Sequence, residues 1–287
     1  MAKTVENVIY EGFELAKNNY VEFLVQYLLF TALFAVIIIL GVILLLIMGL
    51  LGGISTGSLG GTVVPIIFVA LMVIAAIFLV QPLWVGSYYA IALRLERGEK
   101  ISVLESIRQA QGKYVPLLWT MALETLIFVV VDAVIFLPLL LPAKNLLMAA
   151  SASGFTGSAV LHQFLLLIGV GIFAIIAFSI ATLILAPLLY EAVPLVMFED
   201  VGGVAAIKES VGLGRKNFWN IIWLLAVFGI ALFVISFVQG LATAIFGLFG
   251  AVGASLGGLA AALLVGAFVN AWLYVLPIIF YKDFIQA

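Results

Sequence analysis

The chain has 287 residues, of which 66% are hydrophobic and only 9% charged, and its formal net charge is −2. Soluble domains average about 45–50% apolar and about 25% charged residues, so this composition indicates a polytopic membrane protein with no nucleic-acid partner. The sequence contains no Cys, which excludes disulfides, thiolate metal sites and cysteine nucleophiles and leaves the redox compartment open.

Six apolar stretches are long enough to cross a bilayer, since a transmembrane helix needs about 20 mostly apolar residues. We predict an all-α membrane protein whose residues 1–287 form a single polytopic domain. The first 20 residues have no apolar core of the kind that marks a cleavable signal peptide. The predicted spans are roughly 22–50, 63–93, 114–142, 161–198, 218–247 and 258–281.

The basic residues fall on one side of these spans. Of the 12 Lys and Arg residues, only Lys144 lies in a connection on the opposite side. Because basic loops translocate poorly, we expect both termini to be cytoplasmic and the protein to be integral to the cell (plasma) membrane. The three outer connections are rich in Gly and Ser and nearly uncharged, which is typical of hairpin linkers.

The segments that precede the odd-numbered spans resemble one another. Tyr20, Tyr114 and Phe218 begin these spans at intervals of 94 and 104 residues. Small or apolar residues recur 11, 7 and 4 positions before each of them, which traces one face of an α-helix. Each short helix is therefore predicted to be amphipathic and to lie in the cytoplasmic interface.

Three tandem transmembrane hairpins follow from this alignment, each preceded by an amphipathic interfacial helix. The internal repeats cover approximately residues 1–93, 101–200 and 203–287. A glutamate also recurs nine positions before each aligned aromatic residue. Ser102 and Glu105 fit a capping box. A position on a solvated face or in a salt bridge is favoured over a ligand site for all three glutamates, Glu11, Glu105 and Glu209.

The segment from Val193 to Trp219 reads VPLVMFEDVGGVAAIKESVGLGRKNFW. It combines an apolar strip containing Pro194, an acidic and Gly-rich turn, a helix with the pattern Ala-x-x-x-Ser and an aromatic pair. In this pattern it resembles the integral membrane region associated with glycerophosphoryl diester phosphodiesterases and related uncharacterised six-span prokaryotic membrane proteins. The resemblance implies the six-span fold and an association with membrane lipids. The catalytic phosphodiesterase domain is absent from these 287 residues, so no enzyme activity is implied.

Two acidic residues lie inside the third predicted span. Glu124 is about 16 Å beyond Lys113 along a helix, near mid-membrane, and Asp132 is about 12 Å further towards the outer interface. An ionised group at mid-membrane costs about 2.5 kcal/mol or more, so both are candidates for a proton or cation relay facing the bundle interior. The alternatives are a protonated carboxyl bonded to a neighbouring helix, or, for Asp132, a side chain that reaches the outer interface.

Glu191 lies in the fourth predicted span, between Pro187 and Pro194. Each proline removes a backbone donor and deprives the carbonyl one turn earlier of its helical partner. Broken helices are tolerated in membranes where such groups line a cavity or meet protein. Glu191 is about 12 Å inside the edge marked by Glu199, at a depth close to that of Glu124. A close pair of these two carboxyls would bind a cation or share a proton; equally, Glu191 would bond a carbonyl that a proline exposes.

The sequence contains few residues for catalysis or metal binding, since His162 is its single His. We therefore predict no enzyme activity, no cofactor and no metal site. The first hypothesis is a non-enzymatic membrane protein that handles a lipid or other amphipathic molecule, or supports membrane organisation. The alternative is a proton- or cation-coupled small-molecule transporter that uses Glu124 and Glu191. Membrane lipids are the predicted partners, and a homo-oligomer or a complex with another membrane protein stays open.

Overall fold

The computed structural model describes residues 4–56, 59–153 and 158–284, and these residues form helices and turns with no strand among them. One 3₁₀ turn, Leu137–Leu139, joins α5 to α6. The helices are α1 Val5–Asn18, α2 Tyr20–Thr56, α3 Leu59–Glu96, α4 Val103–Gly112, α5 Tyr114–Phe136, α6 Leu140–Ser153, α7 Ser158–Leu189, α8 Ala192–Glu199, α9 Val204–Lys216, α10 Phe218–Gly247 and α11 Ala251–Phe284.

Within the described residues, six helical stretches are long and apolar enough to cross a membrane, as the sequence predicts. The third is longer than expected and is interrupted by the 3₁₀ turn at Pro138, where a proline cannot continue the helical hydrogen bonding. The fourth consists of α7 and α8 with a break between them. The six stretches are Tyr20–Met48, Ile66–Glu96, Tyr114–Ser151, Val160–Glu199, Phe218–Gly247 and Ala251–Phe284.

The three short helices α1, α4 and α9 pack against the returning spans. We call the end of the bundle that carries them the basic end. The N-terminal α1 packs against the C-terminal α11, where the Trp272 indole donates a hydrogen bond to the Ile9 carbonyl oxygen at 3.3 Å. Helix α4 packs against α3, and α9 packs against α7. The residues buried in these contacts are mostly small: Val8, Gly12, Ala16, Ser106, Ala110, Ala206, Ser210 and Gly214.

The hydrophobic core lies mainly at the basic end. Side chains from α2, α3, α5, α8, α10 and α11 are fully buried there, whereas most apolar side chains in the opposite halves of the spans are exposed, as expected for lipid-facing surfaces. Gln26 of α2 donates a buried hydrogen bond to the Ser87 hydroxyl of α3, so this core also contains a polar crosslink. Representative core residues are Phe23, Tyr88, Ile91, Leu117, Leu195, Ile221, Leu224, Leu276 and Phe280.

The turn between α8 and α9 is fixed to α5. The Lys113 ammonium donates hydrogen bonds to the Val196 and Met197 carbonyl oxygens at 3.1 and 2.8 Å, and pairs with Asp200 at 2.8 Å. A cation at this position satisfies carbonyls that the end of α8 leaves open. The Gly203 N–H donates to the Thr120 hydroxyl at 2.7 Å. This turn and the start of α5 therefore form one structural unit.

The predicted capping box at the start of α4 is confirmed. The Ser102 hydroxyl accepts a hydrogen bond from the Glu105 N–H at 3.3 Å, and the Ser102 N–H donates to the Glu105 carboxylate at 3.0 Å. These bonds from the Ser102 backbone and side chain hold the pKa of Glu105 below its usual value. The hydrogen bonds form with the ionised Glu105 carboxylate. Their contribution to stability is therefore present above the unfolded-state pKa of Glu105 and is lost as the pH falls through its lower folded-state pKa.

Replacing Ser102 with Ala is expected to loosen the first turn of α4. The protection of the amides of residues 103–106 against hydrogen exchange, corrected for intrinsic rates, should fall about fivefold. Mass spectrometry of exchanged peptides measures this change. The wild-type protein should lose the same protection in acid, whereas Ser102→Ala should show little further loss. Equal protection in the two proteins at neutral pH would contradict the capping role.

Candidate functional site

The break between α7 and α8 is the most unusual backbone feature inside a span. Pro187 lies within α7 and Pro194 lies in the first turn of α8, so two backbone donors are missing within eight residues. Residues Tyr190 and Glu191 form a turn rather than helix. The sequence therefore dictates an interruption here, and the surrounding helices must satisfy the exposed backbone groups.

Ser210 of α9 bridges this break. Its hydroxyl accepts a hydrogen bond from the Glu191 N–H at 3.2 Å and donates one to the Leu188 carbonyl oxygen at 2.9 Å. One turn later, Gly214 lies so close that an added Cβ would be 2.4 Å from the Pro187 carbonyl oxygen. The small residues of α9 thus allow a polar helix to approach the break and to bond one backbone donor and one backbone acceptor there.

The Glu191 side chain is completely buried at this break. Its relative exposure is 0%, and neither carboxyl oxygen has a hydrogen-bond partner among the described residues. The neighbouring Tyr190 hydroxyl also has no such partner within residues 4–56, 59–153 and 158–284. Buried polar groups are nearly always hydrogen-bonded, so two such groups on adjacent residues indicate a site with a specific role or an occupant.

Glu124 lies in the same region but is not bonded to Glu191. It is half-buried on α5, and both carboxyls are close enough to the Tyr89 hydroxyl of α3 to interact with it electrostatically. Tyr89 packs edge-on against Tyr274 of α11, with 5.2 Å between ring centroids. The structure therefore groups the two predicted carboxyls around one tyrosine, and no hydrogen bond joins the two carboxyls in the described part of the chain.

The other predicted acidic positions have different surroundings. Asp132 is half-buried further along α5. Glu11 lines a polar cavity at the basic end together with Glu96 and Lys282, which form an ion pair with each other. His162 is exposed near the start of α7. Across the described ranges, no group of three His, Asp or Glu side chains has the spacing needed to hold a metal ion.

An apolar groove between α2 and α11 is the feature that the sequence reasoning missed. Its volume is about 430 Å³, and it is a shallow, open groove. The Tyr20 hydroxyl donates a hydrogen bond to the Leu264 carbonyl oxygen at 2.9 Å, which fixes one wall of the groove. The local sequence predicts Tyr20 only as the start of a span and carries no signal that residues 264–268 lie beside it. The lining residues are Lys17, Tyr20, Leu264, Val265 and Phe268.

The groove has one charged group. Lys17 lies at the end of α1, and its side chain is 57% exposed and pairs with Glu14 at 3.3 Å. A second, smaller apolar groove of about 210 Å³ lies between α2 and α3, further from the basic end. Of these two grooves, the one between α2 and α11 has a cation beside its apolar wall, and the one between α2 and α3 has none.

Comparison of the chain with protein-family models found no match, and comparisons with curated proteins and with solved structures found none either.

Proposed function

We propose that this integral membrane protein has a non-enzymatic role in which it holds a lipid, or a similar amphipathic molecule with an anionic headgroup, in the groove between α2 and α11. The observation that carries the proposal is the combination of an open apolar wall with Lys17 at one end. The volume of about 430 Å³ is within the range of about 300–1,000 Å³ that is usual for ligand pockets.

The position of the groove favours entry from the bilayer. Exposed apolar side chains of α2, including Val21 and Val25, adjoin Tyr20, so an acyl chain reaches the groove without crossing water. The Lys17 ammonium attracts a phosphate or carboxylate at the membrane surface, and such an interaction contributes about 1 kcal/mol per basic residue. Its exposed pair with Glu14 is weak and is readily exchanged for a headgroup.

The arrangement of the spans and their orientation in the membrane are also proposed. We infer three tandem hairpins with their short helices in the cytoplasmic interface, and both termini at the cytoplasmic face of the cell membrane. The similar packing of α1, α4 and α9 against α11, α3 and α7 supports this inference. The one-sided distribution of Lys and Arg supports the orientation. The resemblance to the phosphodiesterase-associated membrane region remains a prediction.

Lipid photolabelling tests the groove. The purified protein is reconstituted with a photoactivatable anionic phospholipid or with its zwitterionic counterpart, and labelled peptides are mapped by mass spectrometry. We expect labelling at residues 264–268, with about fivefold less anionic lipid bound in Lys17→Gln because one headgroup charge contact is lost. The zwitterionic probe should be less affected by this change.

Two variants control this experiment. Lys208→Gln removes an exposed charge on α9 at a distance in sequence from the groove and should leave the labelling unchanged. Val265→Trp fills the groove and should reduce labelling by both probes. Labelling spread evenly over the exposed faces of α2 and α10, unaffected by Val265→Trp, would contradict a specific lipid site.

The alternative function, a proton- or cation-coupled small-molecule transporter, is favoured by one observation. Glu191 is a fully buried acidic residue at a helix break, without a hydrogen-bond partner for its carboxyl in the described residues. Ionisable residues in such positions frequently belong to ion or proton pathways.

A further inference from the structure

We propose that Glu191 is a proton-binding site: in the conformation described, its carboxyl carries a proton and is held as a neutral acid at the break between α7 and α8. This inference is independent of the lipid groove. It starts from burial and geometry, since the side chain is 0% exposed and its two oxygens accept no hydrogen bond from any described residue.

An ionised carboxylate in this position would be strongly unfavourable. A buried charge needs a counter-ion or several hydrogen bonds to offset the loss of water, and Glu191 has neither within the described structure. Uptake of one proton converts the carboxylate into a neutral carboxylic acid and removes the charge. The proton can leave only when an acceptor such as water reaches the break.

A metal or monovalent cation is a poorer occupant than a proton. The described residues bring no group of three His, Asp or Glu side chains together, so Glu191 would supply most of the negative charge alone. Glu124 is close to Tyr89 but makes no hydrogen bond to Glu191 among the described residues. A proton requires only the single carboxyl and no additional space.

The groups around Glu191 are hydroxyls and carboxyls rather than cations. Helix α8 packs against α3, α5, α9 and α11. Lys113 binds the opposite end of α8, through the Val196 and Met197 carbonyl oxygens, and Lys208 is exposed. By element, Tyr89 on α3 and the adjacent Tyr190 interact electrostatically with the Glu191 carboxyl, and Ser210 on α9 accepts a hydrogen bond from the Glu191 N–H. Tyr89 in turn interacts with Glu124 on α5 and packs against Tyr274 of α11.

The backbone links this proton to the conformation of the break. The Glu191 N–H donates to Ser210, and the Glu191 carbonyl oxygen accepts from the Leu195 N–H at 2.9 Å, so the residue also begins α8. Loss of the proton would place a charge between α8 and its neighbours. We therefore infer that the deprotonated form favours opening of the break and entry of water.

Thermal stability at two pH values tests the site. The folded protein keeps a proton that the unfolded chain releases above about pH 4.3, so raising the pH from about 5 to about 8 should lower the apparent Tm of the wild type by several degrees. Glu191→Gln keeps the shape of the neutral acid but cannot lose a proton. Its Tm should not show this fall and should exceed that of the wild type at the higher pH.

The exposed Glu6 supplies a matched control, because Glu6→Gln removes a carboxyl at the surface of α1. This control should retain the wild-type dependence on pH. A wild-type fall that persists in Glu191→Gln would overturn the proposal. So would a Tm that rises at high pH on replacing choline chloride with sodium or potassium chloride, since that result assigns a cation to Glu191.

Infrared spectroscopy gives a readout that does not depend on unfolding. At neutral pH the wild type should show the carbonyl stretch of a protonated carboxylic acid, and Glu191→Gln should lose this band or most of it. Glu124→Gln determines how much of the band belongs to the half-buried neighbour. A spectrum unchanged by Glu191→Gln would contradict a proton on Glu191.

Discussion

Replacing Gly214 with Ala is expected to lower the apparent Tm of the protein by about 3–10 °C. The added methyl group would lie 2.4 Å from the Pro187 carbonyl oxygen and 2.7 Å from the Leu188 Cα atom. These are backbone atoms, which cannot rotate away, so α9 would have to move off α7. That movement would also break the two hydrogen bonds that Ser210 makes across the helix break, each contributing about 1 kcal/mol.

Gly212 provides the matched control on the same helix. It is exposed, and a Cβ added there would meet nothing within 4 Å. Gly212→Ala should raise stability by up to about 1 kcal/mol, because alanine is the better helix former. The measurement is the temperature at which half of the monodisperse protein is lost in size-exclusion chromatography after heating. Equal Tm values for the two variants would contradict the close packing of α9 against α7.

Gly203→Ala is the second change with a large expected effect, about 2–5 kcal/mol of lost stability. Gly203 has φ 62° and ψ −133°, a conformation that residues with a Cβ rarely adopt. The new Cβ would also lie 2.4 Å from the Trp119 ring. A shift of the backbone to relieve either problem would lengthen the 2.7 Å hydrogen bond from the Gly203 N–H to Thr120.

Two further variants separate the effect of the backbone conformation from that of the contact with Trp119. Gly98 has φ 73° and open space where a Cβ would lie. Gly98→Ala should therefore lower stability only through the unfavourable backbone conformation, by about 1 kcal/mol. Adding Trp119→Ala to Gly203→Ala should remove the clash with the ring and restore that portion of the lost stability. The loss caused by the backbone conformation should remain. The same heating assay measures all four proteins. A Gly203→Ala variant as stable as Gly98→Ala would show that the turn does not pack against α5 as described.

The membrane-spanning helices could be predicted because their signal is local. A long run of apolar residues has one stable solution in a bilayer, where every backbone group must be bonded within the segment. The prolines at positions 187 and 194 predicted the interruption for the same reason, since the loss of a backbone donor is a property of the residue itself. The predicted limits failed where the chain continues as helix beyond the apolar core, as at Ser151.

The contact faces of the short helices could not be predicted from their apolar residues. The sequence pattern selected Ile9, Phe13 and Ala16 of α1; Ala16 is buried as predicted, but the other buried positions of that helix are Val8 and Gly12. Phe13 is 38% exposed and packs at the edge of the contact, against Phe268 and Trp272. Helices in and near membranes approach most closely through small residues, and which small residues are used depends on the partner helix.

For the candidate site, the acidic residues could be predicted from the sequence, but their contacts could not. Glu124, Asp132 and Glu191 could be selected from the sequence because an acidic residue within an apolar run is costly wherever it lies. The sequence did not determine that the Glu191 backbone would be bonded to α9 by Ser210, or that both glutamates would interact with Tyr89. These contacts join residues that are distant along the chain, and local periodicity carries no information about them.

By itself, the sequence determined that this protein has six apolar stretches, a basic side, a helix broken by two prolines and a few acidic residues within the apolar stretches. The tertiary structure decided that α1 packs against α11, that a groove containing Lys17 lies between α2 and α11, and that the Glu191 carboxyl is buried at the break. Hydropathy and backbone bonding are set residue by residue, whereas packing depends on the shapes of surfaces brought together from distant parts of the chain.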